Sequence, residues 1–451
     1  MKIVIIGAGK ISSAIIKHAT AENHEVTVVD NDASVIEEIV ENYDCMGLVG
    51  NGLLNDTLIQ AGANKADVVI AATRSDETNM LACLLAKSLG AKSTIARIRD
   101  YEYSKQISHL KETLGITMTI NPELESAREV ARIMNFPNAI KVESFGSGNV
   151  DLVEFFVPEN SPLCGQKLLE LNKKNQLNVL VCAVQRGDTV FIPNGQFEIK
   201  AKDRINITCE RSESRKFMGK LGFLDSRLKN VMIIGGGGIS MYLAEELLSN
   251  NFDFKIIEAN KDRCLELSEL LPKATIIHGD GSDQRILSEE GMENSDAIIC
   301  LTGIDEENII ISMYANKKKV KKIITKINKV SFGELMESVE MASIVYPKEI
   351  TANQIVSYIR ATSNSRGSQI KKIYKMINDK IEILEFEISE KSKVVNKALK
   401  DLKMKDNVLI AGISRNGEYI LPTGSTTILE NDSVIVVTTN AILNDLDDIL
   451  V

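Results

Sequence analysis

The chain of 451 residues is about three times the roughly 150 residues of a typical domain, so it must fold around several cores. Apolar residues make up 44% and charged residues 25%, the composition of a folded chain, which excludes wholesale disorder or a collagen-like repeat. A net charge of −9 argues against a general nucleic-acid binder. No apolar run approaches the roughly 18 residues of a membrane-crossing helix, and Met1 and Lys2 lead straight into Ile3 with no cleavable signal, so a cytoplasmic location is expected.

In chain order, residues 1–135 alternate apolar strands (2–6, 26–30, 68–72 and 94–98) with helical patterns, which predicts a doubly wound parallel sheet of Rossmann type. Residues 136–224 change character. Runs at 152–157, 179–184 and 204–209 are β-rich, with a helical insert at 165–171 and a turn at 192–195, and they read as a small α+β module. Residues 225–360 return to strand–helix alternation. After a polar stretch at 362–368, residues 361–451 are β-rich again, with strands at 383–388, 408–413 and 434–438. The expected fold class is therefore α/β, tandem Rossmann-like domains each followed by a small α+β domain.

A repeat underlies this order. Gly7, Gly9 and Ser12 return as Gly235, Gly237 and Ser240, and Asp30 returns as Glu258, all at an offset of 228 residues. Gly50, Asn51 and Gly52 return as Gly279, Asp280 and Gly281, and the run from Thr73 to Asn79 as that from Thr302 to Asn308, at 229. Arg97 matches Lys326, and Asp203 matches Asp432. Landmarks in the same order at a fixed offset make the chain a tandem duplication.

Each copy carries a glycine-rich turn between its first strand and first helix: Gly7, Ala8, Gly9, Lys10 and Ile11, then Gly235, Gly236, Gly237, Gly238 and Ile239. Such a turn lets the backbone approach a pyrophosphate, whose charge is met by the free N–H groups of the helix start. The acid at the end of the second strand, Asp30 or Glu258, is placed to accept hydrogen bonds from ribose hydroxyls and to repel a 2′-phosphate, which favours NAD or an adenosine nucleotide over NADP. Ser12 and Ser240 stand where the third glycine of the pattern belongs, a helix-packing position, so a looser fit is expected there. Thr73, Arg74 and Thr302 lie where a ligand would pass the fourth strand, and Arg97 at the next strand end suits a phosphate or an ion pair. Asp76, Glu77, Asp305 and Glu306 sit at helix starts and read as caps.

Other chemistries lack their residues. A Walker A loop would need a glycine at Val4 and Ser or Thr at Ile11. Seven widely spaced cysteines with no C-x-x-C and four scattered histidines give no zinc spacing, so no metal is expected. No histidine–carboxylate relay accompanies either glycine turn, so no catalytic residue is assigned and no enzyme is expected. An NAD-dependent oxidoreductase and a nucleotide sensor for another ion transporter stay open as alternatives.

The opening run to Gly9, the stretch from Val28 to Asp30, the run from Ala71 to Asn79 with Ala96 to Ile98, and the second glycine run from Val231 to Gly237 together resemble the TrkA family, the regulatory subunits of Trk-type potassium uptake, over the full length. The resemblance implies two KTN (RCK N-terminal) domains, 1–135 and 225–360, alternating with two RCK C-terminal domains, 136–224 and 361–451. It implies a homo-oligomer ring, peripheral at the inner face of the cell membrane, that gates a TrkH- or TrkG-like potassium translocator on binding NAD(H), with ATP or ADP in some members. Carried over by position, the ligand contacts are Gly7, Ala8, Gly9, Lys10, Ile11, Asp30, Thr73, Arg74 and Arg97 in the first copy. In the second they are Gly235, Gly236, Gly237, Gly238, Ile239, Glu258, Asp280 and Thr302. The chain departs from the family pattern at Ser12, Ser240 and Asn51.

Overall fold

The computed structural model describes residues 1–175, 177–221, 228–336, 342–363, 368–376, 380–439 and 443–451. The expected boundary at 224/225 and residues 364–367 of the polar stretch lie outside the described residues.

The first copy opens with β1 (Lys2–Ile6), α1 (Lys10–Ala21), β2 (Glu25–Asp30), α2 (Ala33–Asn42), β3 (Met46–Val49), α3 (Asn55–Gln60), β4 (Val68–Ala71), α4 (Asp76–Leu89), β5 (Ser93–Arg97), α5 (Tyr101–Leu110), β6 (Met118–Ile120) and α6 (Pro122–Met134). The six strands pair in parallel in the order β3-β2-β1-β4-β5-β6. The order reverses at β1, so a crevice opens at the carboxyl ends of β1 and β4, the usual ligand position in open α/β sheets. Strands buried on both faces need near-continuous apolar runs, and Ile3 to Ile6 and Val68 to Ala71 are each at most 2% exposed.

Next come β7 (Ala139–Phe145), β8 (Val150–Phe156), α7 (Leu168–Asn175), β9 (Val179–Arg186), β10 (Thr189–Phe191), β11 (Arg204–Glu210) and α8 (Arg211–Leu221), whose strands form an antiparallel sheet ordered β10-β9-β11-β8-β7. The helical insert starts later than its sequence pattern predicts, because Gly165 is left-handed (φ +78°) and the helix begins only at Leu168.

The second copy repeats the parallel sheet with β12 (Asn230–Ile234), α9 (Gly238–Ser249), β13 (Asp253–Glu258), α10 (Lys261–Leu270), β14 (Thr275–His278), α11 (Gln284–Glu289), β15 (Ala297–Cys300), α12 (Asp305–Lys317), β16 (Lys322–Lys326), α13 (Gly333–Met336), β17 (Ala342–Val345) and α14 (Pro347–Ser363), in the order β14-β13-β12-β15-β16-β17. A second five-stranded antiparallel sheet, β18-β19-β22-β20-β21, is made by β18 (Ser368–Met376), β19 (Ile381–Ile388), β20 (Val408–Arg415), β21 (Glu418–Ile420) and β22 (Ser433–Thr438). Two parallel sheets, each followed by an antiparallel one, match the expected fold class.

Compactness does not follow the repeat. One unit joins Met1–Ala127 with Tyr346–Ile359, and the other joins Arg128–Val345 with Arg360–Val451. In the first unit Ile355 and Ile359 of α14 share a core with Ile3, Ile5, Ile15 and Ile120, and the His18 imidazole lies 3.4 Å from Glu349. In the second unit the start of β7 meets the edge of the second parallel sheet. Buried Lys322 donates to the Ala139 carbonyl at 2.5 Å, and Ser343 to that of Ile140 at 2.6 Å. The inner faces of the two antiparallel sheets share one core, in which Phe145, Leu152 and Ala183 pack with Tyr374, Ile383 and Ile435. The seven cysteines are free thiols and five are buried; burial pushes Cys83, Cys182 and Cys300 up to about 12.

Candidate functional site

The two glycine turns have the same geometry. Gly7 is left-handed (φ +95°), and a Cβ on it would lie 2.9 Å from the Thr73 nitrogen; Gly235 has φ +97°, and a Cβ there would lie 3.0 Å from Leu301 and Thr302 backbone atoms. Only glycine satisfies both the conformation and the spacing. The turn is thus pressed against the end of β4 or β15, bringing Gly7 together with Thr73 and Gly235 with Thr302.

The helices that follow start bare. Gly9 and Gly237 are the N-cap residues of α1 and α9 and supply no side-chain acceptor, whereas Asp32, Ser75 and Asp100 cap α2, α4 and α5. A Cβ on Gly9 or Gly237 would meet nothing within 4 Å. Uncapped N–H groups opening on free space, at the positive end of a helix dipole, form a cradle that suits phosphate oxygens. The main chain of Lys10, Ile11, Gly238 and Ile239 belongs to this cradle, while the side chains of Ile11 and Ile239 are buried.

Asp30 and Glu258 are less open than their place at a strand end suggests. The Asp30 carboxylate accepts the Ala8 N–H at 2.7 Å and the Asp32 N–H at 3.0 Å. Glu258 accepts those of Gly236 at 2.7 Å and Asn260 at 2.7 Å. Each acid therefore ties the glycine turn to the end of the second strand. Each oxygen keeps a second lone pair, so the carboxylate can still receive a hydroxyl.

The serines in the third-glycine position are fully buried, against the expectation of a looser fit. Ser240 donates to the Gly235 carbonyl at 2.5 Å, while the Ser12 hydroxyl has no partner among the described residues. A hydroxymethyl group is small enough to keep the helix tight on its strand.

Asp76 and Asp305 stand in the first turns of α4 and α12, where acids at helix starts are expected, and each has a further task. Ser75 caps α4, and buried Asp76 accepts the N–H groups of Arg99 and Asp100, both at 2.7 Å. Asp305 does the same for Asn328 and Lys329 at 2.9 Å. These acids hold the loop after the fifth strand, a long-range task invisible in local sequence. Exposed Asp280 has a local one: its carboxylate accepts from the Ser282 backbone and hydroxyl, which holds it below the usual carboxylate range.

Asn79 and Asn308 carry no assignment from the sequence, although they recur six residues after Thr73 and Thr302. Both are fully buried. Asn79 accepts from the Thr73 N–H at 2.8 Å and hydroxyl at 2.7 Å, and donates to the Arg97 carbonyl at 2.8 Å. Asn308 accepts from the Thr302 N–H at 2.9 Å and donates to the Lys326 carbonyl at 3.1 Å. The repeated spacing is the signal that could have found them. Arg97 itself is mostly buried beside Glu123, 4.0 Å away; burial lowers the guanidinium's pKa and raises that of Glu123. The guanidinium Nε has no hydrogen-bond partner among the described residues. Lys10 and Arg74 are exposed and form no ion pair among the described residues.

Comparison with known proteins gives the family and the fold. A TrkA-N domain matches residues 3–122 and again 231–347, and a TrkA-C domain matches 152–222 and 383–451. The "Trk system potassium uptake protein TrkA homolog 1" of Methanosarcina mazei is 32% identical over 444 residues, 97% of either chain. The "Trk system potassium uptake protein TrkA" of Halomonas elongata is 32% identical over 440 residues, 96% of this chain and 95% of its own. Among solved structures the GsuK RCK domain superposes with a TM-score of 0.64 at 16% identity, covering 97% of this chain and 92% of its own. The GsuK channel bound to NAD gives 0.63 at 16%, covering 97% and 77%. These two share the fold. With both domain types matched twice in alternation and full-length relatives above 30% identity, the chain belongs to the TrkA family.

Proposed function

We propose that this protein is a nucleotide-binding regulatory subunit of a Trk-type potassium uptake system, which acts on a membrane-embedded potassium translocator according to the nucleotide it holds. The observation that carries the reading is the repetition, in both copies, of an uncapped helix start, a left-handed glycine and an acid clamped to the glycine turn. The relatives named above are potassium uptake proteins, and a GsuK channel of the same fold holds NAD.

In this reading the main chain of Gly7 to Ile11 and of Gly235 to Ile239 receives phosphates, and Asp30 and Glu258 receive ribose hydroxyls. Thr73, Arg74, Arg97, Asp280 and Thr302 complete the clefts. NAD(H), ATP and ADP are the ligands to test. The ligand is read, not consumed, in keeping with clefts that show no proton relay among the described residues. Among the described residues no helix is long and apolar enough to cross a membrane, so the signal passes to another chain, at the inner face of the cell membrane and from a homo-oligomeric ring. The domains of the ring subunit would be 1–135, 136–224, 225–360 and 361–451.

Nucleotide can shift a gate only by binding one arrangement of the assembly more tightly than another, about 1.4 kcal/mol for each tenfold shift. The test is potassium flux in proteoliposomes holding a Trk-type translocator, with and without this protein, at saturating NAD, NADH, ATP or ADP. The expected result is a flux that depends on both protein and nucleotide, with no measurable turnover of NADH. Flux indifferent to the protein under all four nucleotides would refute the role.

A further inference from the structure

The two clefts share a frame and differ in charge, and the difference is ordered along the ligand's length. At the phosphate end the first copy places Lys10 at the first position of α1 and Arg74 just past β4, both exposed. The second copy has Gly238 and Gly303 at these positions. Arg99, which reaches back to the Arg74 carbonyl and lies 3.8 Å from Asp76, becomes Asn328, whose side-chain amide donates to Asp305. Arg97 becomes Lys326, one cation for one. A Cβ on Gly303 would meet nothing within 4 Å, so the second cleft is open there, with the Lys326 ammonium, 3.4 Å from the Leu301 carbonyl, as the cation kept at this strand end.

At the adenosine end the order reverses. Val35 of the first copy, a partly buried core residue, corresponds to Arg263 of the second. The Arg263 guanidinium donates from Nε to the Gly236 carbonyl at 2.8 Å, while the Gly236 N–H is held by Glu258. The guanidinium thus ties α10 to the glycine turn, and its charge is met by Glu266 at 2.7 Å. Other acids near this end exchange one for one: Asp32 becomes Asn260 and Asn51 becomes Asp280. One residue past Arg99 and Asn328, Asp100 and Lys329 each have a protein partner, the Tyr103 N–H at 2.9 Å and Glu306 at 3.6 Å.

We infer that the two clefts divide adenosine ligands by the charge of the part distal to adenosine. The first takes an adenosine di- or triphosphate, whose terminal phosphates meet Lys10 and Arg74, and the second takes a dinucleotide, whose second base and riboside carry no terminal phosphate and occupy the open floor at Gly303, where Lys10 and Arg74 have no counterpart. Desolvated phosphate oxygens need cations or N–H donors, and a neutral heterocycle needs room without them. The inference rests on the nucleotide-binding reading.

The experiment is calorimetric titration of the full chain with ATP and with NADH, on the native protein, on Lys10→Gly/Arg74→Gly and on the reciprocal Gly238→Lys/Gly303→Arg. Lys10 and Arg74 are exposed and the site of the Gly303 substitution is open, so all three proteins are expected to fold, as checked by circular dichroism. Stripping the first cleft should lower ATP affinity tenfold or more and leave NADH affinity within about twofold. The reciprocal variant should raise the ATP stoichiometry from one to two per chain. Unchanged ATP affinity in the stripped variant, or equal losses for ATP and NADH, would overturn the division of ligands and leave nucleotide binding standing. Failure of both ligands to bind the native chain would overturn the nucleotide reading and this inference with it.

Discussion

Asn79 holds Thr73 by two hydrogen bonds to the same oxygen, one from the backbone N–H at 2.8 Å and one from the hydroxyl at 2.7 Å, and its amide nitrogen reaches the Arg97 carbonyl at 2.8 Å. One buried side chain thereby fixes the ends of β4 and β5 relative to each other, and Asn308 repeats the device. Asn79→Ala leaves the Thr73 N–H and the Arg97 carbonyl without their partner, at a cost of about 1–3 kcal/mol per orphaned group. Urea denaturation should show a loss of that order. Nucleotide affinity at the first cleft should fall too, because the cleft floor loosens.

Gly9 and Gly52 separate ligand contact from packing. Gly9→Ala adds a methyl group to open space, so stability should stay within about 0.5 kcal/mol, while nucleotide affinity should fall at least tenfold as the methyl blocks close approach. Gly52→Ala would bring a Cβ to 2.4 Å from the Ile6 Cγ2, and overpacking of this kind costs about 1–3 kcal/mol. Paired thermal melts and titrations of the two variants should show opposite patterns.

Asp30 has a double role in this structure, and its variants should reveal it. Asp30→Ala removes the acceptor for the Ala8 and Asp32 N–H groups as well as for the ribose. Nucleotide binding should weaken by about 1.5–3 kcal/mol, the range for hydrogen bonds to a charged group, and the melting temperature should drop. Asp30→Asn keeps one acceptor oxygen and should fall between the two proteins in both measurements.

Glu129 predicts a pH dependence. It is buried in the second unit beside Glu143, with Lys141, Arg132, Lys372 and Tyr374 also facing it, and burial followed by the Glu143 charge raises its carboxyl to about 7. Since the folded state holds this proton more tightly than the unfolded one, its stabilising contribution is full below about 4.5 and is lost as pH rises through about 7, at about 1.4 kcal/mol per pH unit between. Glu129→Gln should therefore gain on the native protein as pH rises from 5 to 8. Denaturation curves at the two pH values test this: a difference between the proteins that does not change with pH would contradict it.

The parts of the site legible in the sequence are those set by short spacings. Gly7, Gly9 and Asp30 lie within one strand–helix–strand unit, and the same pattern recurs at one offset, so the turn and the acid are readable from residue order alone. The roles of Asp76 and Asn79 are not, because their partners at Arg99, Asp100 and Arg97 come from a different strand and loop. The acid clamp of Asp30 on Ala8 escapes the sequence for another reason: the residue order places a carboxylate at the strand end but does not say which way it folds back. Division of the chain into compact units is least legible of all. The repeat points to a cut between copies, whereas burial of Ile355 and Ile359 against Ile3 and Ile15 assigns the last turns of the second parallel domain to the first.

That exchange has a consequence for how the chain comes into being. During synthesis the first sheet can assemble once residue 127 has left the ribosome, but Ile355 and Ile359 emerge about 230 residues later. At about 5–20 residues per second the interval is on the order of tens of seconds. Throughout it the isoleucine face of α1 and β1 waits for a helix that has not yet been made. A nascent chain of this kind needs shelter for that face, and a fragment ending at Val345 never covers it, however well residues 1–127 fold.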